Sequence, residues 1–165
     1  MVLDAAPADL TLHAVGHDEP HALREWLTTF HLVTVVLDPF TAQSAWLLPT
    51  VGRILRVYED ADCRASITVT CDETGARQFL GPYAREFLSF ADPDREVPKA
   101  FGLSTLPALV HVRQDLTIAG AAEGWDPHAW REVTERLSVA MSWSRPIIPA
   151  PRDPAPYPGT PALGS

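Results

Sequence analysis

The chain has 165 residues, of which 46% are hydrophobic and 21% are charged, and its formal net charge is -8. This length and composition are typical of one globular domain that buries a core without metals or disulfides. The acidic balance argues against nucleic acid and anionic membranes as partners, because both require a basic surface.

The N-terminal residues carry neither the basic region nor the apolar run of a signal peptide. No apolar stretch approaches the roughly 20 residues that a membrane span needs. We therefore expect a cytoplasmic protein that has no contact with the membrane. In that compartment Cys63 and Cys71 are expected to be reduced thiols.

The first third of the chain predicts a strand, a helix and a second strand. Residues 10–15 alternate as in a short edge strand. Asp18 and Pro20 then form a helix start, followed by apolar residues that share one helical face, namely Leu23, Trp26, Leu27 and Phe30. Residues 32–37 are an unbroken β-branched apolar run, which predicts a central strand buried on both faces.

The middle of the chain predicts a helix, a strand and an insertion. Residues 44–59 keep helical spacing of their apolar side chains, with Pro49 expected to kink the helix. Residues 65–71 form the next strand. Residues 73–94 are a longer connection whose aromatic side chains suggest helical spacing, either packed on the core or forming an extra binding surface.

The last part predicts a short helix over 97–102 that ends at Gly102, and a hairpin of strands 108–112 and 116–121. A final helix follows, with Asp126 as N-cap and Pro127 in its first turn. Residues 144–165 contain seven prolines and little that could pack, so we predict a disordered tail after a domain spanning 1–143.

Two loops carry a family resemblance. Thr41-Ala42-Gln43-Ser44, with Pro49 five residues after Ser44, resembles a thioredoxin active-site loop in which Thr41 and Ser44 stand at the two cysteine positions. The segment that includes Leu106 and Pro107 resembles the family's cis-proline segment, where an X-Pro cis bond faces that loop. Together with Gly124 and the element order, the resemblance covers about residues 10–142 and implies an α/β thioredoxin-like fold.

The resemblance also implies a peptide-binding groove between these two loops. Thioredoxins hold extended peptides there through backbone bonds from the residue before the proline, which is Leu106 in this chain. Pro107 would add an apolar contact. The predicted groove comprises Phe40, Thr41, Ser44, Trp46, Leu106 and Pro107.

The departures from the family concern its chemistry. Thiol–disulfide exchange needs a thiolate nucleophile, which the hydroxyls of Thr41 and Ser44 cannot supply. The family's buried aspartate is replaced by Val35. We therefore predict a protein that is not an enzyme, a redox-inactive chaperone or adaptor that binds a protein partner and needs no cofactor. A looser resemblance points to the thioredoxin-like chaperones of [NiFe]-hydrogenase maturation.

Other functions stay open. A thiol oxidoreductase could use Cys63 or Cys71, although Cys71 also fits a buried strand residue. Ser44 as a hydrolase nucleophile has no recognisable partner, and the Thr-x-x-Ser loop resembles that of peroxiredoxins without its thiol. A third class is a structural subunit that uses the 73–94 insertion as its interface. Three histidines, His13, His17 and His21, have a spacing that could suit a metal, but Gly16 and Pro20 interrupt any helix there, so no metal site is predicted.

Overall fold

A central mixed sheet organises the computed structural model, which describes residues 1–164. Its strands are β1 Thr11–Ala14, β2 His21–Ala22, β3 His31–Leu37, β4 Cys63–Val69, β5 Leu88–Ala91, β7 Ala108–Val112 and β8 Ile118–Glu123. They lie in the order β2-β1-β5-β4-β3-β7-β8. Strands β6 (Thr105–Leu106) and β9 (Thr160–Pro161) form a separate two-stranded sheet.

Helices cover both faces of the central sheet. They are α1 Leu23–Trp26, α2 Ala42–Arg56, α3 Glu73–Leu80, α4 Tyr83–Glu86, α5 Glu96–Phe101 and α6 Pro127–Met141. One apolar core lies between the sheet and α2, α3 and α6, and a second lies on the opposite face with α1 and α5. This α/β arrangement confirms the predicted fold class. None of the helices in residues 1–164 has the length and apolar character needed to cross a bilayer.

Strand β3 is an interior strand of the sheet, as its sequence predicted. It pairs in parallel with β4 and antiparallel with β7. Val33 and Val35 face one core, whereas Leu32 and Val36 face the other. Six of its seven residues are buried, which explains the absence of any polar alternation in the run.

Side-chain caps start the longer helices. The Thr41 hydroxyl accepts a hydrogen bond from Ser44 N at the start of α2, and Asp72 accepts one from Gly75 N at the start of α3. Asp126 caps α6, with Pro127 in the first turn, as predicted. These caps matter for the site because α2 and α3 both begin at the same edge of the sheet.

The first predicted helix is much shorter than expected. Helix α1 has only four residues, and His21 and Ala22 before it pair with β1 as a strand. The Thr28 hydroxyl donates to the carbonyl oxygens of Arg24 and Glu25, which ends the helical turn. A second β-branched residue, Thr29, gives the chain little tendency to continue.

The 73–94 insertion contains a strand, although its apolar spacing suggested only helix. Helices α3 and α4 fall within it, but residues 88–91 form β5, which pairs in parallel with β4 and antiparallel with β1. The insertion therefore extends the central sheet. Short apolar runs such as this one fit helix and strand equally well when only their spacing is known.

The prediction of a disordered tail is wrong. Ile148 is 3% exposed and joins the core beside α6. The Asp153 carboxylate accepts hydrogen bonds from Thr50 Oγ1 at 2.9 Å and from Arg53 Nη2 at 2.8 Å. Strand β9 pairs with β6. The Asp153 contacts join residues about 100 positions apart, and the β6–β9 pairing joins residues more than 50 apart, so tail composition gives no sign of them.

Asp92 anchors the segment that leads to Pro107. Its buried carboxylate accepts hydrogen bonds from Glu96 N and Val97 N, each at 2.9 Å. We expect Asp92→Ala to lower the free energy of unfolding by about 2–3 kcal/mol, because two helix-start N–H groups lose their acceptor. Urea unfolding measures this effect, with exposed Asp94→Ala as the matched control. Equal losses in the two variants would contradict the anchoring role of Asp92.

Candidate functional site

The Thr41–Ser44 loop lies at the edge of the sheet where β3 and β4 end. These strands are parallel, so the residues that follow both of them meet at one edge of the sheet. Thr70 N and Thr70 Oγ1 both donate to the carbonyl oxygen of Leu37, at 3.1 and 3.2 Å. The loop after β3 and the residues after β4 are therefore held side by side.

Thr41 and Ser44 bond to each other at the start of α2. Their hydroxyl oxygens are 2.9 Å apart, and Ser44 is 3% exposed. Each hydroxyl therefore has a partner within the turn, and among the described residues Ser44 Oγ bonds to no histidine or carboxylate that could act as a general base. This geometry gives no support to the hydrolase alternative.

Asp38 lies beneath this loop. Its Oδ1 accepts a hydrogen bond from Phe40 N at 2.9 Å, and its Oδ2 lies 3.6 Å from Arg95 Nη2. The carboxylate is 8% exposed, so the arginine balances a largely desolvated charge. Thr160 Oγ1, from the tail, also donates to Asp38 Oδ2 at 3.3 Å.

The second loop carries a cis peptide bond between Leu106 and Pro107, as the resemblance implied. Leu106 is 1% exposed, and the carbonyl oxygen of Pro107 accepts a 2.7 Å hydrogen bond from Gly124 N. Gly124 has a φ of 73°, which favours glycine. The loop is thus fixed against the turn that precedes α6.

The predicted groove residues divide into two groups. Phe40 and Trp46 are largely exposed, at 75% and 64% of their surface. Ser44, Leu106 and Pro107 are buried, and Thr41 is partly buried. The exposed aromatic side chains could contact a ligand directly, whereas the buried residues could contribute only backbone groups or shape.

Cys71 lies at the same edge, immediately after β4. A Cβ added to Gly75 would be 3.1 Å from Cys71 Sγ, so the thiol sits against the first turn of α3 where a glycine leaves room. The residue is 8% exposed. Burial raises the pKa of this thiol to about 11, and the carboxylates of Asp72 and Asp38 act in the same direction.

Cys63 lies at the opposite edge, at the start of β4. Burial raises the pKa of its thiol to about 12. Strand β4, from Cys63 to Val69, spans roughly 20 Å between the two cysteines, whereas a disulfide requires Cα atoms about 4.4–6.8 Å apart. Both cysteines are free, and they cannot form a disulfide with each other in this fold.

The three N-terminal histidines do not form a shared site. His17 and His21 pack their rings near Trp26, with centroid separations of 6.3 and 5.9 Å. His13 pairs with Ala91 across the β1–β5 ladder. Across residues 1–164, no group of three or more histidine, cysteine, aspartate or glutamate side chains could hold a metal ion.

Comparison with known proteins identifies the fold. No protein-family model matches the chain, and no curated protein matches it. A solved structure described as the thiol:disulfide interchange protein DsbE of Chlorobium tepidum has a TM-score of 0.68 and 15% identity, over 86% of this chain and 98% of that one. The fold is thioredoxin-like.

Two further structures have this fold. Peroxiredoxin Q of Xanthomonas campestris, in a cysteine-to-serine mutant form, has a TM-score of 0.67 and 16% identity over 84% of this chain and 99% of that one. A secreted disulfide oxidoreductase of Mycobacterium tuberculosis has a TM-score of 0.60 and 16% identity over 80% of this chain and 96% of that one. At these identities the likeness establishes the fold alone.

The prediction of a redox-inactive chaperone or adaptor that is not an enzyme is wrong by this comparison. Solved structures that share the fold include those of thiol:disulfide exchange proteins and of a peroxiredoxin, which are enzymes. The resemblance to hydrogenase chaperones finds no support in these structures.

The sequence offers Cys71 as a candidate thiol of the alternative function, but its pattern also fits a buried strand residue. It gives no sign of the buried Asp38 carboxylate beneath the loop. The parallel pairing of the strands before them gave the available signal, because both residues follow a buried run and so reach the same edge. The tail gave no local signal at all.

Proposed function

We propose that this protein is a thiol-dependent oxidoreductase that works through one thiol, Cys71. The supporting observation is the position of Cys71 just past the carboxyl end of β4, against the first turn of α3 and within electrostatic reach of Asp38 on the loop after β3. Cys63 lies at the other end of the same strand and is not part of this site. Because the two thiols are too far apart to pair, a second thiol must come from another molecule.

The reaction begins when the Cys71 thiolate attacks a disulfide R–S–S–R. A bond forms between Cys71 Sγ and one substrate sulfur, and the substrate S–S bond breaks to release R–S⁻. A low-molecular-weight thiolate, R′–S⁻, then attacks the substrate sulfur of the mixed disulfide. Cys71 leaves as thiolate and R–S–S–R′ is released, so each step exchanges one disulfide for another and electrons balance.

The high pKa of Cys71 determines the rates of both steps. With a pKa of about 11, only about one thiol in ten thousand is ionised at pH 7, so attack is slow. A thiolate of high pKa is also a poor leaving group, so the mixed disulfide persists once formed. A persistent mixed disulfide suits an enzyme that relies on an external thiol, which a reducing compartment such as the cytoplasm supplies.

The substrate surface in this proposal is the groove formed by Phe40, Thr41, Ser44, Trp46, Leu106 and Pro107. The substrate is a disulfide-bearing extended peptide whose backbone pairs with the segment before Pro107. Exposed Phe40 and Trp46 offer it apolar contact. Thr41 and Ser44 shape the loop without taking part in the chemistry.

We expect Cys71→Ser to abolish mixed-disulfide formation with hydroxyethyl disulfide, measured by intact-protein mass. Cys63→Ser is the matched control and should retain the wild-type rate, because Cys63 lies at the other edge. In the wild type the rate should rise about tenfold per pH unit between pH 7 and 10, as the fraction of thiolate grows towards the pKa of about 11. Asp72→Asn keeps a capping oxygen but removes a charge that opposes the thiolate, so it should increase the rate at pH 7.

Loss of the reaction in Cys63→Ser with retention in Cys71→Ser would disprove the assignment. A wild type that forms no mixed disulfide even at pH 10 would disprove the function. Turnover with added glutathione as the second thiol distinguishes a catalyst from a thiol that is modified once.

A further inference from the structure

The tail has two parts that are held differently. Residues 144–153 are anchored by buried Ile148 and by the Asp153–Arg53 ion pair, with its 2.8 Å contact. Residues 157–162, which we call the tail strap, lie across the loop that contains Pro107. The intervening Pro154-Ala155-Pro156 connects them, and its Ala155 and Pro156 are exposed.

The tail strap pairs as a strand with the residues immediately before the cis-proline. Thr160 is opposite Leu106, and Pro161 is opposite Thr105, in antiparallel register. Ala162 N adds a 2.9 Å hydrogen bond to the carbonyl oxygen of Ser104. The strap therefore takes the position in which the proposed peptide substrate would pair with Leu106.

The strap also contacts the other wall of the groove. Tyr157 donates its phenol hydrogen to the carbonyl oxygen of Gln43, within the Thr41–Ser44 loop, at 3.2 Å. Thr160 Oγ1 donates to Asp38 Oδ2 at 3.3 Å, and Arg95 Nη1 donates to the carbonyl oxygen of Ala162 at 2.8 Å. One short segment thus joins both loops through backbone and side-chain hydrogen bonds.

We propose that the tail strap is an internal ligand of the groove, and that an external peptide binds only after it displaces the strap. This proposal rests on the peptide groove of the proposed function but not on the chemistry of Cys71. In the closed state that the structure describes, the strap holds the pairing edge of Leu106 and so limits the access of disulfide-bearing peptides.

The strap is attached mainly through hydrogen bonds rather than through buried side chains. Ala162 is its one buried residue, and the rest are exposed or half-buried. The anchored part of the tail does not depend on the strap, because Ile148 and Asp153 contact the core and α2 directly. The strap can therefore detach at residues 154–156 while residues 144–153 stay in place.

The strap also indicates which peptides the groove accepts. A Cβ added to Gly159 would collide with the carbonyl oxygen of Leu106, and Gly159 has a φ of 89°, so this position requires glycine. Ala162 is 1% exposed against the core beside α5, which favours a small residue three positions later. The preferred ligand is an extended peptide with glycine and then a small side chain at this spacing.

A peptide of residues 156–163, labelled at its N-terminus and free of cysteine, tests the proposal on the full-length protein. In the wild type the attached strap competes at an effective concentration on the order of millimolar, so the peptide should bind weakly. Gly159→Val ejects the strap, and we expect it to bind the peptide at least tenfold more tightly. Gly164→Val is the matched control, because that glycine also has positive φ, yet the nearest atom to its added Cβ is 3.7 Å away.

Hydrogen exchange at the Ala162 amide reports whether the strap has left. Faster exchange in Gly159→Val together with tighter peptide binding supports the internal ligand. Unchanged exchange would overturn the claim that Gly159 holds the strap against Leu106. Faster exchange without tighter binding would overturn the claim that the strap fills a peptide site. Peptide binding is also measured with Cys71→Ser, which has no thiol at the proposed site. The strap proposal can then fail or hold independently of the thiol reaction.

Discussion

Trp130→Ala is expected to lower the free energy of unfolding by about 3–5 kcal/mol. Trp130 is fully buried on α6 and forms an edge-to-face pair with Trp125, with ring centroids 5.0 Å apart. Its indole Nε1 donates a 2.8 Å hydrogen bond to the carbonyl oxygen of Gly124. Truncation would open a cavity and would remove the donor from a turn that itself supports Pro107.

Urea unfolding measures this loss, with Trp46→Ala as the matched control because Trp46 is 64% exposed. The control should change stability by no more than about 0.5 kcal/mol. A midpoint shift at constant urea slope would show that stability, rather than compactness, has changed. Similar losses in both variants would contradict the role of Trp130 as a core residue.

Trp130→Ala should also affect the tail strap, through Trp125. Trp125 exchanges two backbone hydrogen bonds with Tyr157, at 2.9 and 3.2 Å, and its Nε1 donates to the carbonyl oxygen of Pro154. Trp130 holds Trp125 from the other side. Loss of Trp130 should therefore loosen the start of the tail strap before it unfolds the sheet, which faster exchange at the Tyr157 amide would reveal.

The elements that the sequence predicted well have strong local signals. Strand β3 is an unbroken apolar run, and α6 begins with the Asp126-Pro127 pair and keeps one apolar stripe. Neither element needs information from distant residues. The two loops carry the family resemblance for the same reason, since each is a short motif next to a buried strand.

The elements that the sequence missed depend on distant partners. In β5, Leu88 and Phe90 contact the core near α1 and α5, whereas Phe87 just before it contacts the core near α2. This alternation is visible only once the faces are known. The tail is ordered through Arg53 and Thr50 on α2, about 100 residues away, so its proline content misled the prediction.

In the candidate site, too, the two loops are local motifs, whereas the tail residues between them come from a distant part of the chain. The family resemblance implied the positions of Pro107 and the Thr41–Ser44 loop, but it did not imply the tail residues that pair with Leu106 between them. Pairing of Leu106 with Thr160 requires the tail to return across the molecule, which no motif encodes. Under our proposal, access to the groove depends on residues 157–162 as well as on the two loops, so measurements on a shortened domain would miss it.

Lowering the pH from 6.5 to 4 is expected to cost the folded state about 3 kcal/mol through His111 alone. His111 is 1% exposed on β7, and its Nε2 lies 3.0 Å from His31 Nδ1. Burial lowers the pKa of His111 to about 4, and His31 and Arg113 act in the same direction. Its Nδ1 is buried without a hydrogen-bond partner among the residues that the structure describes.

Stability falls at low pH because His111 takes up a proton when the chain unfolds. Between pH 4 and 6.5 the unfolded chain binds a proton at His111 that the folded chain does not, so stability falls as the pH drops through this window. Above about pH 7.5 the contribution is nearly constant, because the unfolded chain no longer binds the proton either. The pKa of His31 is also lowered, first by its own burial and then by Arg113, while Asp62 opposes that shift. His31 therefore adds to the slope in the same direction.

His111→Val removes the titrating group while keeping a strand-forming side chain, so its unfolding free energy should vary less with pH than that of the wild type. Urea unfolding at several pH values between 4 and 6.5 gives the slope of the unfolding free energy against pH for each protein. The two slopes are compared, so a difference in stability at a single pH does not affect the result. His128→Asn, at an exposed position on α6, should keep the wild-type slope. An unchanged slope in His111→Val would mean that other groups, such as Glu73 and Glu86, whose pKa values are lowered by hydrogen bonds, cause the acid sensitivity. The buried histidine pair would then be neutral packing at the edge of the sheet opposite Cys71.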